Sequence, residues 1–339
     1  MKNAKPIIIL VLLAAIAGVL YIMNQGSDSD LENREFSVDA SKVDKIFLVN
    51  ETQQQVTLTK VDGEWLVNNK YKARKDALKN LLETLTQVQW RNTVPKKQEE
   101  AVFKNLISKH VKVEIYSEGK PIKFYFVGGA SQDGKGTFML QQDPNTGENH
   151  PKPYVTYIPG FEGYLTPRFI CEEHLWRDRV VFQYDKDELK EIEVNYPQAP
   201  KNGFKIQYSG NNEFHFFDYQ GKEVQGFDTL RIKQYMLNYK SISYEAMATQ
   251  KAQGIADSLH NATPYYTIKC TDKNGNVDEI IAHRRKPMKL EYDINGDPLK
   301  YDTDRLFAFI NGQENLFVIQ YFVFDKLTVP YLWFFEKES

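Results

Sequence analysis

The chain's 339 residues are 42% hydrophobic and 26% charged, which supports a large core and excludes a disordered stalk, since disorder needs low hydrophobicity with high net charge. Forty-three basic residues against 45 acidic ones leave a formal net charge of −2, without the basic excess that marks a nucleic-acid binder. Two cysteines exclude a disulfide framework, and 20 Tyr with 21 Phe favour half-buried pleated surfaces.

The first element is the uncharged run Ile7 to Met23, IIILVLLAAIAGVLYIM. As a helix it spans about 25 Å, the short end of what crosses a bilayer. Lys2 and Lys5 precede it and Asp28, Asp30 and Glu32 follow, so the positive-inside rule keeps the N-terminus cytoplasmic and exports the rest. The expectation is a single-pass anchor over residues 1–25 in a bacterial inner membrane, with the C-terminal part periplasmic. The competing reading is a signal peptide cut after Ala15-Ile16-Ala17, before Gly18. The apolar run continues well past that point, which favours the anchor. A lipoprotein is excluded, because the only cysteines are Cys171 and Cys270.

A polar linker, 26–35, leads into what reads as an internal duplication, 36–181 and 182–339. Phe36, Asp39, Val43 and Ile46 recur with the same spacing as Phe182, Asp185, Leu189 and Ile192. Glu64-Trp65-Leu66-Val67 after an Asp62-Gly63 turn matches Glu213-Phe214-His215-Phe216 after Asn211-Asn212, both reading as hairpins. Asp76, Leu78 and Leu85 answer to Asp228, Leu230 and Leu237, each set opening a helix with an acidic residue where an N-cap belongs. The first helix carries Leu78, Leu81, Leu82, Leu85 and Val88 on one face; the second, Asp228 to Tyr239, has a weaker stripe in Leu230, Tyr235 and Leu237.

Shorter helical turns follow near 101–108 and 253–260, and then further hairpins. In the first copy these strands are Val111-Val113-Ile115 and Ile122-Phe124-Phe126 around Glu118-Gly119; in the second they are Tyr266-Ile268-Cys270 and Val277 to Ile281 around Asn274-Gly275. Cys270 alternates with Tyr266 and Ile268, so a buried free thiol and a bond to Cys171 both stay open. The fold class is α+β: a transmembrane helix, then a duplicated unit of antiparallel strands packed on one main amphipathic helix per copy. No long Gly, Pro or Ser linker separates the copies, so close contact between them is expected.

Asp62-Gly63-Glu64-Trp65-Leu66 before the amphipathic helix, Phe126-Val127-Gly128 ending a strand, and Trp176-Arg177-Asp178-Arg179 leading into the second copy together resemble the bacterial domain of unknown function 4340 family. The resemblance covers most of the part after the linker. It implies a membrane-anchored envelope protein, associated in some members with gliding-type ABC transporter components, and it carries over no catalytic residues.

Several motifs invite a chemical reading. Gly129 to Thr137 has the spacing G-x-x-x-x-G-K-G-T of a phosphate loop, but the residues that follow, Phe138 to Asn145, read as a strand and a turn rather than the helix such a loop requires. Asp272 to Asp278 and Asp293 to Asp297 alternate oxygen ligands, yet neither supplies both the Gly and the Glu of an EF-hand loop, and turns account for them. The histidines, at 110, 150, 174, 215, 260 and 283, show no metal-binding spacing; Glu172-Glu173-His174 is the densest cluster and reads as a polar helix face. Arg284-Arg285-Lys286 reads as a solvated basic turn. No catalytic residue, cofactor, metal or nucleotide is expected.

The aromatic crowd Phe317 to Phe335 closes the chain. After Pro330, Tyr331, Trp333, Phe334 and Phe335 form a candidate interaction surface, unless the segment folds back under the second helix. The expected function is a non-catalytic binding or accessory protein with a protein partner in the envelope. The alternative is an envelope-acting enzyme with its site in a groove between the repeats.

Overall fold

A computed structural model of the chain describes residues 36–185 and 187–335. The expected anchor and linker lie outside the described residues, among which no helix is long and apolar enough to cross a membrane. The chain divides into two compact units at Asp178/Arg179.

The first unit runs β1 (Lys45–Asn50), β2 (Gln55–Val61), β3 (Glu64–Val67), β4 (Tyr71–Lys72), α1 (Lys75–Gln87), β5 (Gln89–Thr93), α2 (Lys96–Ser108), β6 (Val111–Ser117), β7 (Lys120–Ala130), β8 (Thr137–Gln142) and β9 (Tyr154–Tyr157). The second runs β10 (Val180–Phe182), β11 (Leu189–Asn195), β12 (Phe204–Gly210), β13 (Glu213–Asp218), β14 (Glu223–Val224), α3 (Thr229–Leu237), β15 (Ile242–Ser243), β16 (Ala246–Met247), α4 (Gln250–Gln253), α5 (Ala256–His260), β17 (Tyr266–Asp272), β18 (Val277–Arg284), β19 (Arg305–Ile310) and β20 (Phe317–Gln320). The first sheet has the order β4-β3-β2-β1-β6-β7-β8-β9-β5 and the second β14-β13-β12-β11-β17-β18-β19-β20-β16. These orders are the same strand for strand. The fold is α+β, with antiparallel pairing in both sheets.

Local sequence explains the shared hairpins. Asp62 and Gly63 sit at φ 49° and 86°, and Asn211 and Asn212 at 52° and 61°, so both tight turns need two residues that tolerate the left-handed region. The Asn274-Gly275 turn differs from expectation. It is a four-residue connection in which the Asp272 carboxylate accepts from the N–H groups of Asn274 and Asn276, each at 2.8 Å.

Alternate strand residues build each core, as Ile46 and Leu48 do on β1 and Ile192 and Val194 do on β11. One cross-strand row shows how two sequences fill the same frame. In the first sheet it reads Val111, Val127, Met139, Tyr154; in the second, Tyr266, Ala282, Ala308, Phe317. Two alanines make room for the extra ring, so the second row carries its bulk at its two ends.

The helices correct the sequence alignment by two residues. Arg74 is the N-cap of α1 and makes no side-chain cap bond, while Asp76 lies in the first turn. Asp228 does cap α3, accepting from Leu230 N at 2.7 Å and Arg231 N at 3.4 Å. Arg74 N–H donates to Trp176 O at 2.7 Å and Asp228 N–H to Phe334 O at 2.8 Å, which makes these two caps equivalent. Val38 N–H to Leu85 O and Tyr184 N–H to Tyr239 O give the same register. Leu78, Leu81 and Leu85 therefore match Ile232, Tyr235 and Tyr239, all buried, whereas Leu230 and Leu237 are 56% and 61% exposed.

Candidate binding cavity in the second unit

Both sheets carry an outer layer on the face away from the main helix, and there the copies diverge. In the first unit α2 is continuous and packs Val102 and Leu106 on Val94, Leu140 and Val155. A side chain at Gly128 would bring its Cβ to 2.7 Å from Leu106 Cδ2, so the helix lies this close because residue 128 is glycine. The register of Val127 with Met139 and of Ala282 with Ala308 puts His283 at the matching place in the second sheet. Its buried ring stands edge-on to Phe309, whose other neighbour is the His260 ring, stacked at 3.7 Å. Burial, together with the neighbouring His260, pushes the His283 pKa below its usual value. Here the cover is two short helices, α4 and α5, with Gly254 and Ile255 between them.

A cavity of about 770 Å³ opens beside this interrupted cover. Ala246, Met247, Ala252, Ile255, Met288, Phe307 and Val318 supply apolar wall, and Glu245, Arg285 and Arg305 line it together with Lys251 of α4 and Lys286 of the β18–β19 connection. Arg285 donates from Nε and Nη2 to Asp302 Oδ2 at 2.8 and 2.6 Å, with both side chains under a tenth exposed. Asp302 Oδ1 accepts from the N–H groups of Asp304 and Arg305 at 2.8 Å each. Burial alone would raise the Asp302 pKa, but the Arg285 guanidinium and these two N–H groups outweigh it and hold the carboxyl below the usual range. Arg305 grips both Glu245 oxygens, at 2.6 and 3.0 Å. Lys251 and Lys286 are exposed and make no ion pair among the described residues.

The candidates named from the sequence lie away from this cavity or have a different role. The basic turn is corrected: Arg285 is buried in an ion pair, and Arg284 lies over the rings of Tyr265 and Tyr301 at 4.1 and 5.0 Å. Phe334 is not part of a surface; it is fully buried against Phe204, Phe216 and Tyr235, while Tyr331, Trp333 and Phe335 are half-buried against the same core. The chain folds back because the carbonyls of Trp333 and Phe334 receive Arg231 Nη1 and the Asp228 N–H. Gly129 to Thr137 spans the end of β7, the hairpin loop 131–136 and the start of β8, the loop being closed by Ser131 and the Lys135 N–H on the Asp133 carboxylate. Glu173 bonds Arg177 and Asn68, fastening the closing turn of the first unit to its hairpin. Cys171 and Cys270 are free and buried.

Sequence reading missed the cavity. Gly254 inside the second helical turn and the long stretch between β18 and β19 were its two available signals; the Arg285–Asp302 pair had none. The chain matches no protein-family model and no curated protein.

Proposed function

We propose that the chain is a membrane-anchored, exported binding or accessory protein that performs no chemistry of its own and engages an envelope partner or ligand through its second unit. One observation carries the reading. A duplicated sheet kept its topology in both copies, yet the second has two short cover helices in place of one continuous helix, with a ligand-sized cavity beside them. Pockets of about 300–1,000 Å³ are the usual size for small-ligand sites. The charge asymmetry around Ile7 to Met23 supports the anchor and the exported side. The resemblance to the domain of unknown function 4340 family supports association with ABC transporter components or envelope assembly.

Two measurements test this. A reporter active only outside the cytoplasm, fused after Ser339, is expected to be active and to sediment with membranes; a soluble species starting at Gly18 would refute the anchor. A photo-crosslinker at Ile255 in the full chain is expected to capture a partner or ligand in membranes, and Ala252→Trp, which places an indole in the cavity's wall, to weaken the capture. Undiminished capture by that variant would overturn the cavity as the binding site.

A further inference from the structure

The lining of the second-unit cavity narrows what can occupy it. Its wall is largely apolar, and Ile255 and Met288 remain 45% and 81% exposed at its margin, an uncovered surface that an apolar body would shield. Its polar side chains are nearly all engaged by the protein. Arg285 is held by Asp302, Glu245 spends both oxygens on Arg305, and the Thr249 hydroxyl caps α4 by accepting from Ala252 N–H. Lys251 and Lys286 are the exception, one from α4 and the other from the β18–β19 connection.

Resting on the binding reading above, we propose that the cavity takes an anionic amphiphile, an apolar acyl-type chain ending in a carboxylate or phosphate, with the head between Lys251 and Lys286. Cations are disfavoured because the one lining carboxylate, Glu245, is committed to Arg305. A peptide main chain fits less well, since the cavity's engaged side chains leave its amides and carbonyls without partners, at the cost that unpaired buried polar groups carry. An acyl chain has no such groups to satisfy.

The experiment displaces a dansyl-labelled undecanoate from the full chain held in amphipol, with every competitor below its micellar concentration. Dodecanoate and dodecyl phosphate are expected to displace at least about tenfold more tightly than dodecanol. The double variant Lys251→Ala/Lys286→Ala should weaken both anions about tenfold and leave dodecanol unchanged, because the loss is of charge and not of wall. Ala252→Trp should weaken binding of all three, with its melting midpoint confirming that it folds. A lysophosphatidylglycerol arm separates a lipid source from a free acid: tighter displacement by the lysolipid assigns the head to phospholipid, and tighter displacement by dodecanoate assigns it to a free acid. Equal displacement by dodecanol, no displacement by any amphiphile, or tighter displacement by an apolar acidic peptide would overturn the ligand class and leave the crosslinking result to judge the binding reading separately.

Discussion

Placing the Arg285 guanidinium and the Asp302 carboxylate under a tenth exposed makes each the condition for burying the other. Asp302→Ala, which strands the arginine, is expected to cost about 3–5 kcal/mol in urea unfolding. The double change Arg285→Met/Asp302→Leu should recover part of that, because neither charge remains to be desolvated although the N–H groups of Asp304 and Arg305 lose their acceptor; a double variant as unstable as the single one would show that those two hydrogen bonds, and not the stranded charge, set the cost. His283 adds a pH dependence. Its pKa is lowered from 6.5 in the fold, so the unfolded chain takes up the proton first, and stability is lost as pH falls from about 6.5 towards the lower folded value. His283→Gln should flatten the unfolding midpoint across that interval, and an unchanged slope would place the titration elsewhere. Lys135→Ala, in the loop that imitates a phosphate site, should change stability by no more than about 0.5 kcal/mol.

Among the elements, α1 and α3 show how far periodicity reaches. The leucine stripe of α1 was legible because one face of a helix against a sheet repeats on a local period. Pairing Asp76 with Asp228 as caps misplaces α3 by two residues, because Arg74 begins α1 with no side-chain cap at all. Leu81→Ala, at a fully buried position, is expected to cost about 2–5 kcal/mol, and Leu82→Ala, half-buried, distinctly less. Leu237→Lys should be close to neutral, within about 0.5 kcal/mol, while Asp228→Ala should cost about 0.5–2 kcal/mol through the lost cap. A large loss at Leu237 would restore the rejected register. The cover elements are less legible in the sequence. The α2 helix starts at Lys96 after Pro95, well before the expected turn at 101, and the interruption of α4 and α5 at Gly254 was legible only as a glycine.

At the scale of the molecule, each unit closes its core with a terminal ring, Trp176 in the first and Phe334 in the second, both fully buried and both presenting a carbonyl to the N-terminus of the main helix. Phe334→Ala is therefore expected to destabilise the second unit by about 3–5 kcal/mol, and deletion of 331–339 to abolish its cooperative melt. Hydrogen exchange should report the Phe334 effect first in Phe204–Gly210 and Glu213–Asp218, the strands whose Phe204 and Phe216 rings it packs against. Protection there that survives the truncation would return these aromatics to the role of an interface. By itself the sequence determined the duplication, the main helix of each copy and the tight turns at Asp62-Gly63 and Asn211-Asn212, because side-chain period and turn chemistry act over a few neighbouring residues. Tertiary structure alone decided that Phe334 is core, that Arg285 meets Asp302 and that a cavity opens beside α4, because each depends on which faces distant segments present to one another.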